Sequence, residues 1–428
     1  RAYVEVLQRL GFEQAAAIRN EEAIRTEQKA MQFAAALGAR DLSDVYMAAY
    51  YVEACSWLVS GMANLARNEE ARRAGEDCLA LADRILVQRP GYRLVLHAEQ
   101  VLLSGLTGMA ANELNPAEGL RYGRRQEQVS TILLGLDPKN TVSANNLGVA
   151  HDQIGYALWG SARLSEAVAV WMKSIGDYAL ASVSGGEFGI ARAYSVGFGA
   201  MAQVQIGDNT AARTTVTAHE SFFRAFRQKE PKGSMAVAIA DAMQRLPAAY
   251  MAYEGGELQS AVRSAADIDS QLQGITPHGD FQANQRDLSV WVSAHIAGRA
   301  EYLLGDFAAA EKAEREALAR RKPWVNSGAS DQRQMCETAT WLAMAVARQG
   351  RTAEAAQTIA PWVKYQRELA ARDHGDQWLP LELAGALYAE ALTDAHRRPD
   401  LLREAAGLVE HLAAPLRGLH DVQLWRTL

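Results

Sequence analysis

His295, Arg299 and Tyr302 stand four and then three residues apart, a spacing that puts three side chains on one face of a helix. Val292 and Leu303, with Ala300 beside them, supply apolar material for the opposite face. An arginine among aromatic rings can hold a carboxylate or a backbone carbonyl while the rings cover apolar groups. Catalytic patterns are missing. The sequence has no His-Glu-x-x-His, no phosphate loop ending in Gly-Lys-Ser/Thr and no Gly-x-Ser-x-Gly elbow. Gly197-Phe198-Gly199-Ala200-Met201-Ala202 matches the Gly-x-Gly-x-x-Gly/Ala string of dinucleotide sites. That string requires a preceding strand and a helix that begins at the glycines. Residues 188–206 read instead as one continuous helix, so these glycines are expected to allow close helix packing.

The nine histidines form no metal-spaced cluster. His411 and His420 are separated by Pro415, which breaks any shared helical face. His374, in Arg372-Asp373-His374-Gly375-Asp376, lies in a turn before a helix, where an Asp–His contact would cap that helix. Cys55, Cys78 and Cys336 are odd in number and include no Cys-x-x-Cys pair, so each is expected to be a buried thiol inside a helix. No catalytic residue, cofactor or metal is expected, and the chain is not expected to be an enzyme.

The elements that carry these residues follow from composition and periodicity. The chain has 428 residues, 49% of them hydrophobic, which is ample for a buried core. A net charge of −6 argues against a general nucleic-acid binder, which carries a basic face. The 79 alanines and the preference for arginine over lysine are associated with GC-rich bacterial genomes. The sequence starts at Arg1 and is read as a piece of a longer protein. Its most membrane-like stretch, residues 45–66, has a charge-free run of only 13 residues, 54–66, against the roughly 20 that a span needs. It is expected to be a buried helix, leaving no membrane span, with a cytoplasmic location and the periplasm as the alternative.

Strand signals are nearly absent, and the prolines are read as falling between helical segments. In residues 307–321, Ala310, Ala313, Ala317 and Leu318 line one helical face while Glu311, Glu314, Arg315 and Arg320 cover others. Breakers such as Gly207-Asp208, Gly255-Gly256, Gly305-Asp306 and Gly350-Arg351 cut the chain into roughly sixteen helices. Those glycines recur in register. Each of Gly207, Gly256, Gly305 and Gly350 is followed five residues later by Ala212, Ala261, Ala310 or Ala355, and preceded seven residues earlier by Ala200, Ala249, Gly298 or Ala343. The twelve-residue offset between the small positions also joins Gly105 to Ala117. Small residues where two antiparallel helices cross, with a glycine at the turn, describe a tight helical hairpin.

This spacing resembles the tetratricopeptide repeat, most closely in residues 294–323. The period departs from the family. The anchors Gly105, Gly148, Gly199, Ala249, Gly298, Ala343 and Gly385 are 42 to 51 residues apart, against a standard of 34. That is similar to the long-repeat version in arrays of bacterial transcription regulators and signalling ATPases. The resemblance implies an all-α, right-handed α-solenoid of antiparallel helix pairs. Residues 90–428 form the array, and residues 1–89 an N-terminal cap or entry, with residues 3–37 as one long helix kinked near Gly11. It implies a concave groove lined by the first helix of each pair. There it places Asn145, Asp152, Tyr250, Tyr253, His295, Arg299 and Tyr302 as partner-binding residues, with an ordinary solvated helix face as the alternative. The expected function is a non-enzymatic protein–protein interaction array that buries a protein or peptide segment in its groove. It would be the C-terminal sensory or scaffold part of a larger bacterial signalling protein, monomeric or weakly dimeric. The alternatives are a small-molecule sensor and, further off, an all-α enzyme.

Overall fold

The computed structural model describes the chain apart from residues 18, 66, 182–185, 232, 278, 325–327, 373–374 and 428, and apart from the side chains of 16, 186–188, 279–281, 426 and 427. Among the described residues there are twenty α-helices, two short 3-10 turns and no strand. Through residues 2–136 and again through residues 235–410, the helices pack on one another in chain order as antiparallel pairs, an all-α solenoid architecture. The chain divides into two compact units, one of Arg1–Ile154 with Gly176–Ser182, the other of Gly155–Ile175 with Val183–Leu428.

The first unit holds α1 (Ala2–Ala16), α2 (Asn20–Ala36), α3 (Val45–Asn64), α4 (Asn68–Gln88), α5 (Arg93–Asn112) and α6 (Pro116–Leu136), then most of α7 (Thr141–Gly160) and the end of α8 (Leu164–Ala181). The expected single helix over residues 3–37 is instead two helices, α1 and α2, broken after Ala16 rather than kinked at Gly11. Gly11 lies inside α1, and its missing side chain leaves room for the buried carboxyl of Glu27. Asp44 starts α3 by accepting from the backbone N–H groups of Tyr46 and Met47, and Asn115 caps α6 ahead of Pro116. Helix α3 covers the membrane-like stretch and is buried along most of its length. By length and composition α5 alone among the described helices is long and apolar enough to cross a membrane; its apolar side chains pack inside this unit. The division expected at residues 89/90 rests on repeat spacing, while the core that joins Val52 and Leu58 to Leu102, Leu106 and Tyr122 is continuous across it.

Cys55 of α3 and Cys78 of α4 are joined by a disulfide, with Cα atoms 6.5 Å apart. This corrects the reading of three free thiols. Twenty-three residues lead down one helix, around the turn and back up the next, so the two cysteines meet at the same level of one hairpin. Cys336 is a free, buried thiol, as expected.

The second unit continues with α9 (Gly186–Gln205), α10 (Asn209–Ala218), α11 (Glu220–Lys229), α12 (Met235–Glu254), α13 (Leu258–Gln273), α14 (Gly279–Leu304) and α15 (Phe307–Arg321). It ends with α16 (Ala329–Arg348), α17 (Thr352–Ala370), α18 (Leu379–Ala391), α19 (Arg398–Glu410) and α20 (His420–Thr427). The repeat glycines make the turns: Gly305 and Gly350 have φ of 84° and 81°, the left-handed region that costs glycine nothing, and Gly207 and Gly256 match them. Asp208 and Asp306 then cap the following helices. Gly298, Ala310, Ala343 and Ala355 are all buried at hairpin contacts, as the twelve-residue offset predicts. Pro247 and Pro361 depart from expectation, since they lie inside α12 and α17 rather than between helices.

Within this unit the chain returns on itself. The rings of Trp159 and Trp378 stack with centroids 4.3 Å apart, and Trp378 Nε1 donates to the Trp159 carbonyl at 2.8 Å. Gln377 N–H donates to the Gly160 carbonyl at 2.8 Å, fixing the segment ahead of α18 on the end of α7.

Candidate functional site

Helices α12, α14, α16 and α18 are the leading helices of successive hairpins in the second unit, each packed on the next. Side chains on their shared face converge. The Arg299 guanidinium of α14 lies 4.3 Å from the ring centre of Tyr253 on α12 and 5.5 Å from that of Trp341 on α16. Tyr388 stands on α18, one turn from Gly385.

This face is occupied by α20. Asp421 accepts from the Tyr253 hydroxyl at 2.5 Å and pairs with Arg299. The backbone N–H of His420 donates to the Glu254 carboxylate at 2.9 Å, so an orphan donor at the start of α20 meets an acidic group. Val422 is fully buried. Trp425 packs against Trp341 and Tyr388, with ring centres 5.6 and 5.3 Å away. Gly385 makes room for it: a Cβ there would approach Trp425 Cζ2 to 3.2 Å. One carboxylate and one large aromatic ring, four residues apart on α20, thus fill two adjacent places on the face.

The electrostatics suit a carboxylate. Burial is the largest single influence and opposes the charge of Arg299, but the Asp421 carboxylate together with the Tyr253 and Tyr250 phenols outweighs it and holds the guanidinium pKa well above its ordinary value. Burial and the neighbouring carboxylates push the Tyr250 and Tyr253 phenols well above the usual range, so they remain neutral donors. Burial, and then Asp421, raise Glu254.

The residues expected from the sequence divide into three groups. Tyr250, Tyr253 and Arg299 come together; Tyr250 also accepts from Gln205 Nε2 at 3.3 Å. Tyr302 is one helical turn further on, where its hydroxyl accepts from Arg348 at 3.1 Å and its ring meets Trp341 and Phe307. His295 does not join them. It is buried in the α14–α15 hairpin, with Nδ1 2.9 Å from the Glu314 carboxyl and its ring stacked on Trp291. A step of four residues rotates about 40° around a helix, which carries His295 off the open face and into the hairpin contact. There burial lowers the His295 pKa far below its usual value and raises Glu314 far above, leaving a neutral pair. The expectation that all three side chains share one free face is corrected accordingly. Asn145 and Asp152 belong to the first unit, where Asp152 accepts from Tyr178 at 3.0 Å and the Asn145 side-chain oxygen is buried without a hydrogen bond.

Other readings resolve plainly. Helix α9 runs through Gly197 and Gly199, and a Cβ at Gly197 would lie 2.7 Å from the Met243 carbonyl oxygen, so the glycine string serves helix packing. His374 and Asp373 lie outside the described residues; Asp376 accepts from the backbone N–H of Trp378 at 2.9 Å. Sequence reasoning missed Asp421, Trp341 and Trp425. Asp421 and Trp425 share a helical face four residues apart, and that spacing was the available signal.

No family model matches the chain, and no curated protein matches it. Among solved structures it is similar to a circular tandem repeat protein with novel repeat topology and enhanced subunit contact surfaces, at 14% identity over 100% of this chain and 99% of that one, with a TM-score of 0.26. A superposition that loose carries no argument about either fold or function.

Proposed function

We propose that the chain is a non-enzymatic interaction module that seats a protein segment across the leading helices of its hairpins. The observation that carries this reading is α20 itself. A short helix sits on α12, α14, α16 and α18 through an arginine–carboxylate pair, a tyrosine hydroxyl and a tryptophan slot. Aromatic residues and arginine are the side chains that dominate binding surfaces. The positive-φ glycines and buried small residues at a common offset support a tetratricopeptide-like array of the long-repeat kind; its place in a larger bacterial signalling or regulatory protein is part of the proposal. The Cys55–Cys78 disulfide supports the periplasmic alternative over the cytoplasm, because reducing compartments keep such pairs open. A net charge of −6 keeps nucleic acid out of the proposal.

The test is selection of helical peptides from a displayed random library on the 428-residue chain, followed by titration against Arg299→Ala. The expected result is a set of peptides whose affinity falls at least fivefold, about 1 kcal/mol, in Arg299→Ala with helical content unchanged. Selected peptides that bind both chains equally contradict the assignment.

A further inference from the structure

We infer that the α12–α18 face takes one kind of partner, an amphipathic helix with a carboxylate and, four residues later, a large aromatic side chain, and that α20 is a resident copy of that ligand which the partner displaces. This rests on the reading of the face as an interaction surface and adds the chemistry of the ligand and the mode of control.

Three observations carry it. First, the face is specific rather than merely apolar. Arg299, flanked by the rings of Tyr253 and Trp341, meets the Asp421 carboxylate, while Gly385 leaves a space that Trp425 enters. A helix without the carboxylate would leave the guanidinium buried and unpaired, and one with a small residue at the aromatic position would leave the slot unfilled. Second, α20 has the properties of an exchangeable occupant. Its eight residues are too few to hold a helix alone, so the face imposes its fold. Asp421, Leu424 and Trp425 remain half-buried and Gln423 is exposed. A cavity of about 380 Å³, lined by Ala384, Tyr388, Leu402 and Val409, stays open beside Trp425. Third, the connection permits release. Leu412 and Leu416 are anchored in the core at 2% and 0% exposure, and the exposed Gly418 follows them with nothing where a Cβ would stand, so residues 412–416 can hold the core while the buried Leu419 and α20 leave together.

Tethering sets the control. A ligand held on the same chain competes at high effective concentration, so an external helix of like chemistry binds weakly until α20 is removed. The probe is a fluorescein-labelled synthetic peptide with the sequence of residues 418–428, titrated against the full chain, against Asp421→Ala/Trp425→Ala and against that double variant carrying Arg299→Ala as well. The proposal expects at least tenfold tighter binding to the double variant than to the parent chain. It expects loss of that gain with Arg299→Ala, and no binding by a peptide whose Asp and Trp are both alanine. If the double substitution unfolds the chain, Asp421→Asn is used, with a smaller gain in the same direction expected. Equal binding to parent and variant overturns the resident-ligand proposal but leaves the interaction module standing, provided that display-selected peptides still respond to Arg299→Ala. Failure of the probe to bind a folded double variant overturns the ligand chemistry. Sedimentation showing that the parent chain dimerises and the double variant does not makes the occupant α20 of a second copy, and overturns the partner assignment.

Discussion

Glu27 shows how far a single side chain in this structure departs from solution behaviour. It is fully buried beside Gly11, neither carboxyl oxygen has a hydrogen-bond partner, and burial, reinforced by Glu53, lifts its pKa from 4.5 to about 9. The folded chain therefore keeps this proton up to about pH 9, whereas the unfolded chain releases it near 4.5. The contribution of the neutral carboxyl to stability is full below the lower value and is lost as pH rises toward the upper one. Glu27→Gln cannot ionise. Its stability relative to the parent is predicted to rise between pH 5 and 8, by on the order of 3 kcal/mol at the upper end. Parallel curves of Tm against pH for the two chains would contradict this assignment.

At the scale of helices, the small residues decide how closely hairpins close. Ala310 is 1% exposed where α15 crosses α14, and Ala355 occupies the same place in the next hairpin. Ala310→Leu is predicted to destabilise by about 1–3 kcal/mol and to lower Tm by a few degrees, measured by circular dichroism; an unchanged melting curve would count against the hairpin alignment. This layer was legible in the sequence because tight crossing and left-handed turn geometry demand particular residue types at fixed separations. Three other features were not. The Cys55–Cys78 bridge depends on two cysteines reaching the same level of one hairpin, which spacing alone does not fix. His295 lies on the boundary between open face and hairpin contact, and the few tens of degrees of rotation that decide between them are invisible to a count of i, i+4 and i+7. Helix α20 offers one four-residue spacing and no more, and nothing in it points to its partners Arg299 and Tyr253, which are 122 and 168 residues away. For the candidate site, Tyr250, Tyr253 and Arg299 were therefore found as a face, and what fills that face was not.

Across the second unit, stability is the sum of neighbour contacts between hairpins together with two features of long range. The Trp159–Trp378 stack and the hydrogen bonds to the Trp159 and Gly160 carbonyls join segments separated by more than 200 residues. Trp378 is 7% exposed, and Trp378→Ala is predicted to cost about 3 kcal/mol. Hydrogen exchange should quicken at residues 156–160 and in α18, with α12 and α13 still protected; a uniform change across the unit would contradict a local closure. The seat of α20 is the second long-range feature, and the whole functional account depends on it. The most direct measurement is a double-mutant cycle on the 428-residue chain, with Arg299→Ala, Asp421→Ala and both together followed by equilibrium unfolding. If α20 lies on the α12–α18 face, the two substitutions are coupled by about 1.5–3 kcal/mol, because either alone strands a buried charge and the second relieves it. Additive effects would show that Asp421 does not meet Arg299, and would remove the face, its ligand chemistry and its control together.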